Sequence, residues 1–149
     1  MIENILMDIL KGWHFIALDA RSCSGGLVIG WNLEKIKVMS SWGFNVGMDV
    51  EVLMEELGME FTSLNIYGPY MERISFWDNL LRKYILNSPL LILGGDLNLT
   101  LGASKVWGPK ETFYPLSNYF IRKFEEKALL DIESVNINLR WRNKRTKED

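Results

Sequence analysis

The sequence predicts an α/β fold, in which helices and strands alternate along the chain. The clearest observation is the apolar run Leu90–Leu93, which follows Pro89 and stops at Gly94 and Gly95. Bulky aliphatic residues without a polar interruption are typical of a strand covered on both faces, in the middle of an α/β sheet. Residues 72–86 precede this strand and carry apolar residues at helical spacing. A helix that leads into a buried strand is the ordinary step of an α/β domain.

The composition fits one globular domain over residues 1–149. The chain is 48% hydrophobic and has a net charge of −2, so it offers no overall attraction to nucleic acid. No window approaches the ~18 apolar residues of a membrane-spanning helix, and residues 1–4 lack the basic start of a secretory signal. The sole cysteine, Cys23, cannot form an internal disulfide. We therefore expect an intracellular protein without a membrane partner.

The N-terminal half predicts a helix followed by short strands. Residues 3–11 show apolar positions at helical spacing and end at Gly12, a usual helix stop. Residues 50–54 fit a strand and a helix equally well; as a strand they would form a hairpin with residues 60–67 across Leu57 and Gly58. The predicted strands cover residues 14–18, 27–31, 35–42, 50–56 and 60–67.

The C-terminal half predicts amphipathic helices on either side of the buried strand. The second of them, over residues 116–127, is expected to turn Phe120, Ile121 and Phe124 inward. The residues 99–115 between strand and helix form a polar loop, long enough to suggest a functional rim. The expected core comprises Trp77, Leu80, Leu81, Leu91, Leu93, Phe120 and Phe124.

The residues best suited to chemistry lie at the end of the apolar strand. Gly94 and Gly95 let the backbone turn and let a ligand approach closely, because they have no Cβ. Asp96 and Asn98 lie two residues apart and therefore point the same way from an extended backbone. Such strand ends are the usual place of catalytic residues in α/β proteins. The same residue types are also ordinary in turns, so the motif alone leaves both interpretations open.

The motif Gly95-Asp96-Leu97-Asn98 resembles the GD(F/L)N signature of the endonuclease/exonuclease/phosphatase (DNase I-like) superfamily. Further segments follow the order of the branch found in plant LINE-type retrotransposon polyproteins, so the resemblance covers nearly the whole chain. These segments are the turn and strand over Asp19–Asn32, the NxYGP segment at Asn65–Tyr70 with Phe76-Trp77 after it, the helix and short strand over Leu116–Ile132, and Arg140–Thr146, which is similar to TWRNNRT.

The resemblance implies both a fold and a set of site residues. The fold is part of a four-layer α/β sandwich, two mixed β-sheets packed face to face with helices outside. By resemblance, Asp96 orients or deprotonates a water, Asn98 contacts the phosphate and Tyr67 lines the phosphate pocket. Asn65 is the expected neighbour of Tyr67 at the phosphate, and Trp141 is a further candidate for substrate binding. Taken alone, Tyr67 also suits an aromatic residue that closes the end of the sheet.

Other parts of the family's site have no counterpart in the sequence. The family binds Mg²⁺ or Mn²⁺ through a glutamate in a Q-E-T-K segment, and it uses an asparagine on its first strand and a C-terminal S-D-H segment. Met1 falls just after the place of the Q-E-T-K segment, and Asp149 falls before that of the S-D-H segment. We therefore expect a domain that is incomplete at both ends, with an uncovered sheet edge that invites self-association.

No metal ligand is assigned from the sequence. His14, the only histidine, lies in a predicted strand near the start and is expected to be a packed or edge residue. Among the acids considered, nothing in the spacing distinguishes a ligand from a solvated surface charge. These acids are Asp19, Glu55, Glu56 and Glu60.

The functions that remain open belong to different classes. The first is a fragment of a metal-dependent DNA endonuclease, inactive alone, with DNA as partner and no small-molecule cofactor; a DNA target is compatible with a nuclear location. The second is a non-catalytic nucleic-acid-binding remnant that uses exposed aromatics such as Trp107 and Trp141. The third, a phosphatase acting on phosphoinositides or nucleotides, is disfavoured by the TWRNNRT resemblance. A basic cluster would serve the first two, unless it is a frayed terminus: Arg140, Arg142, Lys144, Arg145 and Lys147.

Overall fold

A computed structural model describes residues 2–19, 26–85, 88, 90–101 and 115–132. The chain divides into two compact units, Met1–Asn98 and Leu99–Asp149. The single domain over residues 1–149 stays a prediction. Most of the predicted loop over residues 99–115, the basic cluster, Trp107 and Trp141 lie outside the described residues.

The first unit contains two helices and six strands, and their positions agree closely with the sequence pattern. The helices are α1 (Ile2–Ile9) and α2 (Arg73–Ile85). The strands are β1 (Trp13–Leu18), β2 (Leu27–Asn32), β3 (Ile36–Phe44), β4 (Gly47–Met54), β5 (Met59–Tyr67) and β6 (Leu91–Asp96). The second unit holds one described helix, α3 (Ser117–Glu126).

The strands form two sheets. β1 and β2 pair antiparallel, and the other sheet has the order β3-β4-β5-β6. In the four-stranded sheet β3, β4 and β5 are antiparallel neighbours, whereas β5 and β6 run parallel. The hairpin between β4 and β5 turns at residues 55–58, as predicted, and the helical alternative for residues 50–54 is excluded. Among the described strands, the four-stranded sheet is therefore mixed, whereas the two-stranded sheet is antiparallel.

One face of the four-stranded sheet packs against the two-stranded sheet. Met48, Val50 and Val52 alternate along β4 and are at most 5% exposed, because every second residue of a strand points to the same face. This alternation builds the apolar layer between the sheets. The residues packed against the three are Ile16, Leu18, Leu27, Ile29, Ile36, Val38 and Phe61.

The opposite face of this sheet carries Leu64 and Ile66 of β5, both buried. Asp49 of β4 lies opposite Leu64 and therefore shares this face. From α2, the Tyr84 hydroxyl donates a hydrogen bond of 2.6 Å to Oδ2 of Asp49, and the Tyr84 ring stacks on Phe44. Four α2 side chains are buried: Trp77, Leu80, Leu81 and Tyr84. The sequence pattern of α2 predicted the first three of these.

The strand β6 differs from its prediction. It is the last strand of the described sheet, with β5 on one side, so Ile92 is 47% exposed and Leu91 and Leu93 are only half-buried. The prediction of a strand covered on both faces in the middle of a sheet is wrong for the described residues. An unbroken apolar run records the hydrophobicity of a strand but does not record its place in the strand order.

The helix α3 buries only part of its predicted face. Phe120 is fully buried and its ring meets that of Phe124, which is half-buried, but Ile121 is 36% exposed. Residues four apart stack on one helix face, whereas Ile121 is rotated by about 100° from Phe120. After α3, residues 129–132 have no regular structure, so the short strand expected before residue 133 is absent from the described part of the chain.

None of the helices that the structure describes has the length and apolar character needed to cross a membrane.

The Tyr84 hydrogen bond makes a prediction for the stability of the chain. Burial and the hydrogen bond to Asp49 raise the pKa of Tyr84 above its ordinary value of 10.0. Because the folded state holds the neutral phenol, this contribution is complete below pH 10.0 and is lost as the pH rises further. Replacing Tyr84 by Phe should lower the free energy of unfolding by about 1 to 3 kcal/mol at neutral pH.

Urea denaturation at neutral and alkaline pH measures this effect. The wild-type chain should lose more stability than Tyr84→Phe on going above pH 10.0. Equal stability of the two proteins at neutral pH would show that the hydrogen bond contributes nothing.

Candidate functional site

The parallel strands β5 and β6 end side by side and bring two predicted site residues together. Their register pairs Asn65 with Gly94, Ile66 with Gly95 and Tyr67 with Asp96. Residues directly opposite in neighbouring strands project to the same face. Tyr67 and Asp96 are therefore neighbours at the carboxyl ends of the two strands. Asp96 is exposed to solvent, whereas Tyr67 is half-buried.

Two glycines allow the strand ends to approach so closely. Gly95 has φ +110°, and a Cβ placed there would overlap the carbonyl oxygen of Ile66. A Cβ on Gly68 would overlap the carbonyl oxygen of Leu97. In this tight contact the Gly68 N–H donates a 2.7 Å hydrogen bond to the carbonyl of Asp96. Any side chain at either glycine would push the strand ends apart, because both obstacles are backbone atoms.

Asn98 folds the chain back immediately after the strand. Its φ of +49° lies in the left-handed region, which asparagine tolerates better than most residues. Its backbone N–H donates to Oδ1 of Asp96 at 3.3 Å, and its side-chain Nδ2 donates to the carbonyl of Gly68 at 2.6 Å. The Asn98 amide thus ties the end of β6 to the end of β5.

The hydroxyl of Tyr67 belongs to the same network. A hydrogen bond to the Tyr70 side chain, the proximity of Tyr70, partial burial and the negative charge of Asp96 raise the pKa of Tyr67, and a hydrogen bond from Asn98 partly opposes them. The raised pKa keeps Tyr67 a neutral phenol at neutral pH, as an ordinary tyrosine is. One donor of the Asn98 Nδ2 is used by the Gly68 carbonyl, so the predicted phosphate contact would use the other.

Asn65 connects the two sheets beneath Tyr67. Its Nδ2 donates to the carbonyl of Val28 in β2 at 3.3 Å, which fits its expected place as the structural neighbour of Tyr67. Its Oδ1 lies 2.5 Å from the place that a Cβ on Gly95 would take, so the absence of that Cβ also makes room for Asn65. A direct phosphate contact by Asn65 stays a prediction. Trp141 lies outside the described residues.

The acids considered as metal ligands separate into two positions. Glu55, Glu56 and Glu60 lie at the hairpin end of β5, the opposite end from Tyr67, and a strand of nine residues is roughly 25 Å long. Asp19 directly follows the end of β1, where Leu18 pairs with Leu27. The next residue, Val28, accepts the hydrogen bond from Asn65. Asp19 therefore lies toward the same end as Asn65. The described residues contain no group of three or more His, Cys, Asp or Glu that could hold a metal ion.

His14 takes an edge position, one of the two places expected for it. It lies on β1, in a sheet of two strands, and its ring meets that of Trp31 at 6.0 Å between centroids. It is remote in register from the site residues, since Trp31 is three residues from Val28 along β2.

The sequence analysis gave no role to Tyr70 or Arg73, which the structure joins to this site. Tyr70 lies three residues after Tyr67 and is the main cause of the raised Tyr67 pKa, and the Arg73 Nε donates to the backbone carbonyl of Tyr70 at 3.0 Å. In the sequence, the signal for this pair is a tyrosine directly after Pro69 and an arginine three positions later. That pattern alone is too common to indicate a function.

Comparisons with known proteins identify the fold. No protein-family model and no curated protein matches the chain. A mannosyl-6-phosphatase from Bacteroides thetaiotaomicron is similar in structure, with a TM-score of 0.55 and 13% identity over 81% of this chain and 52% of the phosphatase. An endonuclease/exonuclease/phosphatase family protein from the same organism has a TM-score of 0.48 and 15% identity over 64% of this chain and 44% of its own length. The chain thus spans about half the length of these proteins.

The likeness to the phosphatase confirms the predicted fold class, an α/β architecture with two sheets and helices, as in the DNase I-like fold. At this level of identity it carries no information about the substrate.

The close approach of the strand ends can be tested with neighbouring glycines. Gly95→Ala should lower the free energy of unfolding by at least about 2 kcal/mol, because the new Cβ meets backbone atoms at a positive φ. Gly94→Ala is the matched control, since a Cβ at Gly94 meets nothing within 4 Å. It should change stability by less than about 1 kcal/mol. Similar losses in both variants, measured by urea denaturation, would contradict the packing described for Gly95.

Proposed function

We propose that the chain is part of a DNA endonuclease domain of the kind carried by non-LTR retrotransposon polyproteins, and that it does not cut DNA on its own. The supporting observation is the register pair of Tyr67 and Asp96, held at the carboxyl ends of parallel strands. The chain shares its fold with a mannosyl-6-phosphatase, and this likeness supports the fold alone. Phosphate-ester chemistry at the ends of β5 and β6 is proposed from the residues there and from the family motif that they resemble.

The residues supply two of the groups that phosphodiester hydrolysis needs. The exposed Asp96 carboxylate can orient a water and accept its proton, and its hydrogen bond from the Asn98 N–H fixes the carboxylate. Tyr67 is a neutral phenol at neutral pH, and its raised pKa extends this state to higher pH, so it adds no charge that would repel a phosphate. Its hydroxyl is a donor that can turn from Tyr70 to a phosphate oxygen. These are the roles that the family resemblance implies for both residues.

A divalent ion, Mg²⁺ or Mn²⁺, would neutralise charge on the phosphate in the complete domain. Such hard ions prefer several oxygen ligands in a fixed geometry. The described residues around Asp96 do not fit an ion on their own, since they offer a single carboxylate and belong to no larger group of ligands. Loss of one stabilising group commonly costs ~10²- to 10³-fold in rate, so we expect the chain alone to be nearly silent.

DNA is preferred over a phosphomonoester because of sequence features. Asn65–Tyr70 and Arg140–Thr146 resemble the NxYGP and TWRNNRT segments of retrotransposon endonucleases. The second segment is basic. Because it lies outside the described residues, only its sequence supports the preference for DNA. Arginine and lysine there would bind backbone phosphates.

The proposal predicts how Asp96 affects DNA binding. If a phosphate lies beside Asp96, removal of this negative charge should tighten binding, since two charges at 4 Å repel by about 1 kcal/mol in water. Asp96→Asn should therefore lower the Kd for a fluorescent DNA duplex by about threefold to tenfold. Fluorescence anisotropy at low salt with the full chain measures this change. In a supercoiled-plasmid assay with Mg²⁺ or Mn²⁺, the wild-type chain should nick no faster than Asp96→Asn.

The matched control is Glu60→Gln, which removes the same charge at the far end of β5 and should leave the Kd unchanged. Equal tightening in both variants would reveal only a change in net charge and would overturn the site. Metal-dependent nicking that disappears in Asp96→Asn would support the endonuclease assignment and would contradict the claim that the chain does not cut DNA on its own. The first residue to replace would then be Asp19, because it lies toward the same end of the fold as Asn65.

A further inference from the structure

We propose that Tyr70 and Arg73 form a nucleotide subsite beside Tyr67 and Asp96, in which the Tyr70 ring stacks on a base and Arg73 binds a backbone phosphate. The subsite rests on the proposed function, because it gives the DNA strand a place next to the scissile phosphate. It adds two residues to which neither the sequence pattern nor the family motif assigns a role.

The ring of Tyr70 is presented to solvent at the edge of the site. Tyr70 follows Pro69 at the end of β5 and is 66% exposed, an unusual exposure for a large aromatic side chain. Tyr70 contributes most to the raised pKa of Tyr67, in agreement with its place three residues further along the chain. A ring that is exposed over most of its surface offers a face for stacking.

The guanidinium of Arg73 is held against the same residue. Its Nε donates to the Tyr70 carbonyl at 3.0 Å, and the guanidinium carbon lies 5.9 Å from the centroid of the Tyr70 ring. This geometry is a cation–π contact, which positions the charge over one face of the ring, so a base would stack on the other face. The turn between them passes through Glu72, whose φ of +52° folds the chain back as α2 begins. Tyr70 and Arg73 thus form one unit.

The pairing of a ring with a cation matches the repeating chemistry of a nucleic-acid strand. Each nucleotide offers one flat base and one phosphate, so an aromatic ring and an arginine side by side can engage both at once. The position also suits the charges of the site. Among Asn65, Tyr67, Asp96 and Asn98 the only formal charge at neutral pH is the negative Asp96, and Arg73 supplies a positive charge two contacts away through Tyr70 and Tyr67.

The test compares DNA strands with and without bases. The probes are a fluorescent deoxythymidine oligonucleotide and the same strand built from abasic sites, and the full chain is titrated against each. Tyr70→Ala should weaken binding to the thymidine strand by about 5- to 100-fold, the loss expected for one stacked base, and should not affect the abasic strand. Tyr70→Phe, which keeps the ring, should bind within about twofold of the wild type.

Arg73 is tested by salt. Arg73→Gln should weaken binding to both strands and reduce the slope of log Kd against log salt by about one, because one phosphate contact is lost. The matched controls are Trp42→Ala, which removes another exposed aromatic, and Arg122→Gln, which removes another exposed arginine. Neither should change binding. Thermal unfolding of every variant confirms that the fold is intact.

The outcomes separate the subsite from the proposed function. If Tyr70→Ala weakens the two strands equally, or Trp42→Ala has the same effect, the subsite is overturned, whereas the response of DNA binding to Asp96→Asn still stands by itself. If the wild-type chain binds neither strand at low salt, both the subsite and the proposed function are overturned.

Discussion

The site depends on the contact between the ends of two parallel strands. The backbones of β5 and β6 meet closely at Gly95 and again just beyond the strands at Gly68, where a Cβ on either residue would strike a backbone carbonyl. Only this approach lets the Gly68 N–H reach the Asp96 carbonyl and the Asn98 amide reach the Gly68 carbonyl. The same contact sets Tyr67 opposite Asp96. Two residues without side chains thus decide where the functional side chains lie.

The arrangement gives the site a definite chemical character. The exposed carboxylate of Asp96 lies beside the neutral phenol of Tyr67. Asn98 connects the two strand ends, because its backbone N–H donates to Asp96 and its side-chain Nδ2 donates to the Gly68 carbonyl. Such a site can orient a water next to a phosphate but has little to offset the charge of the phosphate itself. The positive charge of Arg73 is held against Tyr70, which lies three residues after Tyr67. Under the proposed function, these residues would bind the substrate and position a water, and other groups would stabilise the transition state.

Local patterns in the sequence predicted the elements, but not the surroundings of the pair at the centre of the site. Hydrophobic period and glycine placement located β5, β6 and α2, whereas the resemblance to the endonuclease/exonuclease/phosphatase superfamily assigned Tyr67 to the same site as Asp96. Strand order is a non-local property, so the exposure of Ile92 at the sheet edge was missed. The contacts of Tyr84 with Asp49 and of Tyr70 with Tyr67 join side chains through tertiary structure, and no local period encodes them. The structural role of Asn98 was hidden for the same reason, because its partner Gly68 is 30 residues away.

The central claim, that Tyr67 and Asp96 share one site, is tested most directly by measuring the register of β5 and β6 in solution. In an isotope-labelled sample, nuclear Overhauser effects between backbone protons should connect Tyr67 with Gly95 and Asp96, and the Gly68 amide should exchange slowly because it is bonded to the Asp96 carbonyl. A register displaced by one residue would turn Asp96 to the opposite face from Tyr67. Cross-strand contacts of that kind, or a rapidly exchanging Gly68 amide, would contradict the shared site.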